Sequence, residues 1–160
     1  MKPSKLGKVT RRDAVLNDFW LFKEWRNLPY IYSTMVEDDR PLSDEEIITW
    51  LSSYVGDTEH KYGILTVVLV DEKPVGWQLA RDFQSGIPEV GFAIANQDYW
   101  GTGLYTEMAS QGLSRLKDMG FTKVRSRTRK DNLRVLRAAP RLGFTKIYEN
   151  DSEIVWLRDL

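Results

Sequence analysis

The segment Tyr99-Trp100-Gly101-Thr102-Gly103-Leu104-Tyr105-Thr106-Glu107 stands between a run with strand character and a run with helix character. Glycines at i and i+2 permit a tight turn and leave backbone N–H groups bare, and the helix behind them adds the positive end of its dipole. That combination suits a phosphate or pyrophosphate. No Gly-Lys-Ser/Thr follows, so the segment is not a P-loop. The third glycine of a dinucleotide fingerprint is also absent, because Tyr105 and Thr106 follow at once. A plain strand-to-helix turn is the alternative reading of the same residues.

A second set of charged residues is Arg125, Arg127 and Arg129. They alternate with Val124, Ser126 and Thr128, which puts three guanidinium groups on one sheet face. Such a face needs acid to meet it. Either it receives an acidic acceptor or a nucleic-acid backbone, or it forms salt bridges to Glu89, Asp82 or other nearby carboxylates. Lys130, Arg134, Arg137 and Arg141 add positive charge close by in sequence.

Composition removes several chemistries. The chain of 160 residues has no cysteine and one histidine, His60. This excludes a disulfide framework, a thiolate zinc site, a cysteine nucleophile and a histidine metal cluster within one chain, and no metal is expected. Lys plus Arg equals Asp plus Glu at 23 each, so no net field favours nucleic acid or a membrane. The longest apolar stretch, Ile64–Val70, is far short of the ~20 residues of a membrane span. Met1, Lys2, Pro3, Ser4 and Lys5 form no apolar signal core, which makes the cytoplasm the default location. His60 reads as a loop or strand-start residue. Phe19, Trp20, Phe22 and Trp25 read as core rather than as a ligand cage.

The elements that must position these groups can be followed along the chain. Gly7–Arg12 fits a strand, and Asp18 reads as the N-cap or first-turn acid of a helix running to Asn27 and stopped by Pro29. Ser43-Asp44-Glu45-Glu46 spells a capping box for a helix with Ile47, Trp50, Leu51 and Tyr54 on one face, ended by Gly56. Lys61–Val70, Val75–Phe83 and Ile87–Ala95 are strands on short turns, an antiparallel meander. Leu104, Met108, Leu113 and Leu116 mark a helix stopping at Gly120, and Lys123–Arg129 is a strand. Asn132 caps a short helix closed by Gly143, and Thr145–Tyr148 with Glu153–Arg158 forms a terminal hairpin. The order is β-α-α-β-β-β-α-β-α-β-β: one α/β domain over residues 1–160, a mixed sheet with helices on both faces.

Several of these stretches together resemble a known family. Pro88-Glu89-Val90-Gly91-Phe92-Ala93-Ile94 followed by Tyr99-Trp100-Gly101-Thr102-Gly103 resembles the signature of the GNAT acyl-CoA-dependent N-acetyltransferases. Asn132, eleven residues before Gly143-Phe144, resembles its second half. Trp25-Arg26-Asn27 and the Ser43–Leu51 helix resemble the ribosomal-protein N-terminal acetyltransferase branch. The resemblance runs from about Gly7 to Arg158.

It implies a GNAT-like fold in which the strand of Phe92–Ile94 splays from Lys123–Arg129, and pantetheine inserts between them. Backbone groups near Ala93 and Ile94 would bond its amides, and one N–H would polarise the thioester oxygen. Trp100, Gly101, Thr102, Gly103, Leu104, Tyr105 and Thr106 would hold the pyrophosphate of acetyl-CoA, with Asn132 beside the pantetheine and Arg137 near coenzyme phosphate. Glu89 would be the general base for an amine acceptor, a protein amino terminus or lysine or a small amine. Trp25, Arg26, Arg127 and Arg129 would contact that acceptor. No metal is implied, and a homodimer is compatible with the chain. Three features, over four positions, depart from the family. Trp100 and the bulky Tyr105 replace its usual residues, and Val135 and Ala139 stand where a serine or tyrosine often protonates the leaving thiolate. A non-catalytic acyl-CoA-binding module and a nucleic-acid-directed acyltransferase are the rival readings.

Overall fold

Strand β2 (Gly63–Val70) is apolar at nearly every position because both of its faces are covered. Leu65 and Val67 enter one core; Ile64, Val68 and Val70 enter two clusters on the other side. The structure is a computed structural model that describes residues 5–160, so the stretch Met1–Ser4 used above to judge a secretory segment lies outside the described residues. Its seven strands form one sheet in the order β1-β2-β3-β4-β5-β7-β6. The others are β1 (Val9–Asp13), β3 (Lys73–Arg81), β4 (Glu89–Ile94), β5 (Lys123–Arg129), β6 (Thr145–Glu149) and β7 (Glu153–Asp159). Every neighbouring pair is antiparallel except β4 with β5.

Helices α1 (Phe19–Trp25), α2 (Pro29–Tyr32) and α3 (Asp44–Val55) cover one face of the sheet; α4 (Leu104–Asp118) and α5 (Leu133–Arg141) cover the other. This is the mixed architecture the sequence implies, with one element added. Pro29 does not merely end a helix. It opens α2 at the first helical position, where its fixed φ fits and its missing N–H is no loss. Asp18 stands at the N-cap position of α1, as expected, but its side chain makes no cap hydrogen bond to that helix. It belongs to a short 3-10 turn, Leu16–Asp18, where its buried carboxylate accepts the Val15 N–H at 2.8 Å and two hydrogen bonds from Arg12 at 2.8 Å. The capping box at Ser43 and Glu46 forms as the sequence spells it.

The α1–α3 layer is held by aromatic packing. Phe22 has no exposed surface and sits edge-on to Trp25, Trp50 and Trp77 at 5.7, 5.0 and 5.7 Å. Trp25 stacks on Trp77 at 5.8 Å. Such pairs add ~0.5–1.5 kcal/mol each beyond simple burial. Phe22→Ala should therefore remove ~3–5 kcal/mol of stability, read as a lowered urea midpoint with an unchanged slope. A loss under ~1 kcal/mol would mean that the tryptophans close the gap without it.

Candidate active site

Strands β4 and β5 are paired at one register position, Glu89 opposite Arg125. There the Arg125 N–H donates to Pro88 O at 2.9 Å, and Ser126 Oγ donates to Val90 O at 2.9 Å. Past Val90 the strands part; β4 continues with β3 and β5 with β7. Backbone groups point to alternate sides along a strand. Ala95 N–H donates to Val75 O at 2.9 Å, so Gly91, Ala93 and Ala95 serve the β3 side. Phe92 and Ile94, in step with Val90, turn their groups into the gap. This corrects the role expected for Ala93: its backbone belongs to the sheet, and Phe92 shares the open edge with Ile94. The far end is closed by Trp100, whose Nε1–H donates to Ile94 O at 3.0 Å.

The turn after the gap is shaped by two glycines at positive φ, Gly101 at 75° and Gly103 at 88°. Thr102 Oγ1 donates to Tyr99 O at 2.5 Å and braces the turn. No side chain caps α4, so the N–H groups of Gly103, Leu104, Tyr105 and Thr106 lack helical acceptors. The Leu104 side chain is fully buried, leaving only its backbone to serve a ligand. Beside Gly103 a Cβ would meet open space.

Across a cavity of about 440 Å³ from this turn lie Arg134, Arg137 and Arg141, set at i, i+3 and i+7 on one side of α5. Among the described residues none of these three forms an ion pair. The Arg134 guanidinium lies 3.5 Å from the centre of the Trp100 ring. Helix start and free arginines thus face the same space, which fits a polyanion such as a pyrophosphate.

A smaller cavity of about 230 Å³ adjoins the first and shares Phe92, Ala93, Tyr105, Asn132 and Val135 with it. Asn132 caps α5, its Oδ1 accepting the Val135 N–H at 3.5 Å. Tyr105 turns its ring onto Phe92, centroids 5.7 Å apart, rather than over the glycine turn. Burial pushes its phenol up to about 12. The floor of this cavity is Gly91, whose missing side chain leaves open space.

Glu89 lines that cavity with its side chain 13% exposed. Its Oε2 accepts from Arg81 Nε at 2.9 Å and Nη2 at 2.6 Å, while Oε1 accepts no hydrogen bond among the described residues. The Arg125 Nε stands 3.7 Å from Oε1. One oxygen is anchored and one is open.

The remaining acceptor residues are partly reassigned. Trp25 lines neither cavity; its stacking on Trp77 makes it core. Arg127 lines the acceptor cavity, but its guanidinium is taken by Glu153 at 3.0 Å and Glu37 at 2.9 Å. Arg129 lies outside both cavities, held by Asp131 at 2.7 Å and Asp39 at 2.8 Å. Arg125 is paired with Asp82. Each arginine of this face is thus met by at least one carboxylate. These pairs also tie the acidic loop carrying Glu37, Asp38 and Asp39 over the cleft. Arg26 does line the cleft. Sequence reasoning missed Gly91 as the floor and Tyr30, which packs edge-on against Trp100 at 5.6 Å and donates to Ala95 O at 2.5 Å. No group of His, Asp or Glu among the described residues is arranged to hold a metal ion.

Arg127→Ala removes the loop's Glu37 pair, worth ~1 kcal/mol at an exposed site, together with the part-buried Glu153 pair. It should speed amide hydrogen exchange at residues 36–40 by roughly five-fold, beyond any smaller change at the global-unfolding amides. Unchanged exchange there would show that the loop is held by its apolar contacts instead.

Comparison with known proteins bears on the family and the fold. A family model described as an acetyltransferase (GNAT) domain matches residues 8–145. The uncharacterized protein MJ1062 of Methanocaldococcus jannaschii is 27% identical over 144 residues, 88% of this chain and 28% of that protein. The chain therefore spans little more than a quarter of that relative's length. A crystal structure of a domain from Methanocaldococcus jannaschii matches with TM-score 0.86 at 26% identity, over 96% of this chain and 99% of that one. A ribosomal L7/L12 alpha-N-protein acetyltransferase in complex with coenzyme A gives 0.80 at 11% identity, over 95% and 94%. Aminoglycoside acetyltransferase AAC(6')-Ib in complex with an aminoglycoside and acetyl-CoA gives 0.78 at 18%, over 95% and 93%. The last two likenesses speak for the fold. With the family model covering most of its length, the chain belongs to the GNAT acetyltransferase family.

Proposed function

We propose that the chain transfers an acetyl group from acetyl-CoA to a primary amine. The observation that carries this reading is the edge of β4 left without a strand partner at Phe92 and at the Ile94 N–H, opening onto the α4 start and the arginines of α5. An extended pantetheine arm can pair with that edge as an added strand would. The bare N–H groups of Gly103 to Thr106, with Arg134, Arg137 and Arg141, then suit the coenzyme's phosphates. The acceptor is a protein amino terminus, a lysine or a small amine.

An amine reaches the site protonated and must first lose a proton. Glu89 takes it at its open Oε1, directly or through a water, and passes it to solvent. The nitrogen lone pair attacks the thioester carbon, a C–N bond forms, and a gap-facing N–H of Phe92 or Ile94 stabilises the oxyanion. The C–S bond then breaks with its electron pair going to sulfur. One amine proton ends on the thiol and one in solvent, so ammonium and thioester give amide, thiol and a proton. Direct attack needs no covalent enzyme intermediate.

Two variants test the reading. Gly103→Val places a branched side chain in the space kept open for phosphate, at a φ that L residues avoid. It should weaken coenzyme A binding in calorimetry at least ten-fold, and wild-type affinity would sink the site. Glu89→Gln keeps an acceptor for Arg81 but cannot take a proton. It should lower kcat roughly 10²-fold with coenzyme affinity intact, read as free-thiol release. Absence of thiol release by wild-type protein on every amine, with coenzyme bound, would favour a non-catalytic binding module.

A further inference from the structure

Arg26 follows α1 and is buried, with 7% of its surface exposed. Its Nε is shut off from solvent and has no hydrogen-bond partner, and no hydrogen bond or ion pair joins its terminal nitrogens to any described residue. The guanidinium lies over the Trp50 ring, 5.1 Å from its centre. Its surroundings include Trp77, Met35 and Leu79, which line the acceptor cavity with it. Asp38 is near enough to act on it through space, yet that carboxylate is engaged with Arg40 at 3.5 Å.

This is an unusual state for a guanidinium. The other arginines of the cavity, Arg81 and Arg127, are each met by carboxylates within 3.0 Å. An arginine keeps its charge at any physiological pH and offers five donors in a fixed fork. Removing that charge from water without a hydrogen-bond partner costs stability; the Trp50 ring and the field of Asp38 offset part of the cost, and an anion supplying the missing bonds offsets the rest. A residue serving the fold alone would be better as an apolar side chain at this place. The cavity that holds Arg26 also holds Glu89 and the floor at Gly91, so one small molecule or chain end can touch all of them.

We infer that the acceptor is an amine bearing its own anionic group, a carboxylate or a phosphate, and that Arg26 is the residue that binds that group beside the Trp50 ring. The inference rests on the acetyl-transfer reading for the word acceptor, but the anion site can be tested without turnover. A planar fork in an apolar setting binds either oxyanion through two parallel hydrogen bonds. It discriminates strongly against neutral and cationic amines, which would leave the guanidinium unpaired.

The test compares wild type with Arg26→Met, which conserves volume and removes the charge. Thermal unfolding is followed with β-alanine, O-phosphoethanolamine, β-alaninamide and ethylenediamine, each titrated separately. Free Arg26→Met should melt no lower than wild type, because an uncompensated charge has gone. β-alanine or O-phosphoethanolamine should raise the wild-type midpoint and leave Arg26→Met unmoved, while the amide and the diamine shift neither protein. The larger of the two anion shifts tells carboxylate from phosphate. With the amine that binds, kcat/KM should fall ten-fold or more in Arg26→Met while coenzyme A affinity stays unchanged. If neither anionic amine stabilises wild type, or if both shift the two proteins equally, Arg26 is no anion site. A melting point several degrees lower in free Arg26→Met would make the residue structural and overturn the inference as well. Failure of wild type to bind coenzyme A would instead remove the acetyl-transfer reading and leave the Arg26-dependent shift standing.

Discussion

Everything at the site depends on the parting of β4 from β5. A parallel pair with one register position leaves the following edge of β4 without a ladder partner, inside the sheet rather than at its margin. Each unpaired backbone group there would cost ~1–3 kcal/mol if shut off from water. Two cavities meeting at Phe92, Tyr105 and Val135 keep it wet or available to a ligand. The two halves of the sheet are stitched on either side, by β3 against β4 and by β7 against β5, so the opening does not unravel. The gap is a slot between two stitched half-sheets, and the gap-facing backbone groups of β4 have no strand opposite them.

Charge follows the same division. On the acceptor side the arginines of β5 are met by Asp82, Glu37, Glu153, Asp39 and Asp131. On the other side α5 presents three arginines that pair with no carboxylate among the described residues. The balanced net charge of the chain conceals this separation. Pairing on one side rigidifies the loop over the acceptor cleft, whereas free cations beside a helix start make a site for a strongly charged ligand. Arg26 is the exception on the paired side, and that contrast gives it meaning.

Much of this was legible in the sequence because the signals were local. Ser43 and Glu46 cap each other across one turn, β5 reads correctly to the residue from its alternation, and the glycine turn announces the α4 start. What was hidden depends on tertiary geometry. Alternation places Arg127 and Arg129 on one face but is silent about the acidic loop that comes to meet them from 90 residues away. Trp25 and Arg26 are adjacent, yet one is turned into the aromatic core and the other lines the cleft. Pro29 misled for a different reason: a proline that cannot continue one helix is well suited to begin the next. The choice of Phe92 over Ala93 needed the hydrogen-bond phase of β4, which no side-chain pattern carries.

Val135 and Ala139 supply no acid, and the hydroxyls of Thr34 and Ser126, which also line the cleft, donate to Ile31 O and Val90 O; the phenol of Tyr105, which lines both cavities, is the hydroxyl to weigh as a proton donor. Its phenol, pushed up to about 12 by burial, holds its proton far more tightly than a thiol of pKa ~8.5. Giving that proton to a departing thiolate would be strongly uphill. Tyr105 is therefore unsuited to be the acid, but a neutral phenol remains a good hydrogen-bond donor to a thiolate. The thiolate, being the weaker base, can leave as an anion and collect its proton from solvent. In the proposed reaction the demanding protonic step then falls on the incoming ammonium rather than on the leaving sulfur. That puts the chemical weight on Glu89 and its open oxygen, and explains how the cleft can dispense with a second titrating group.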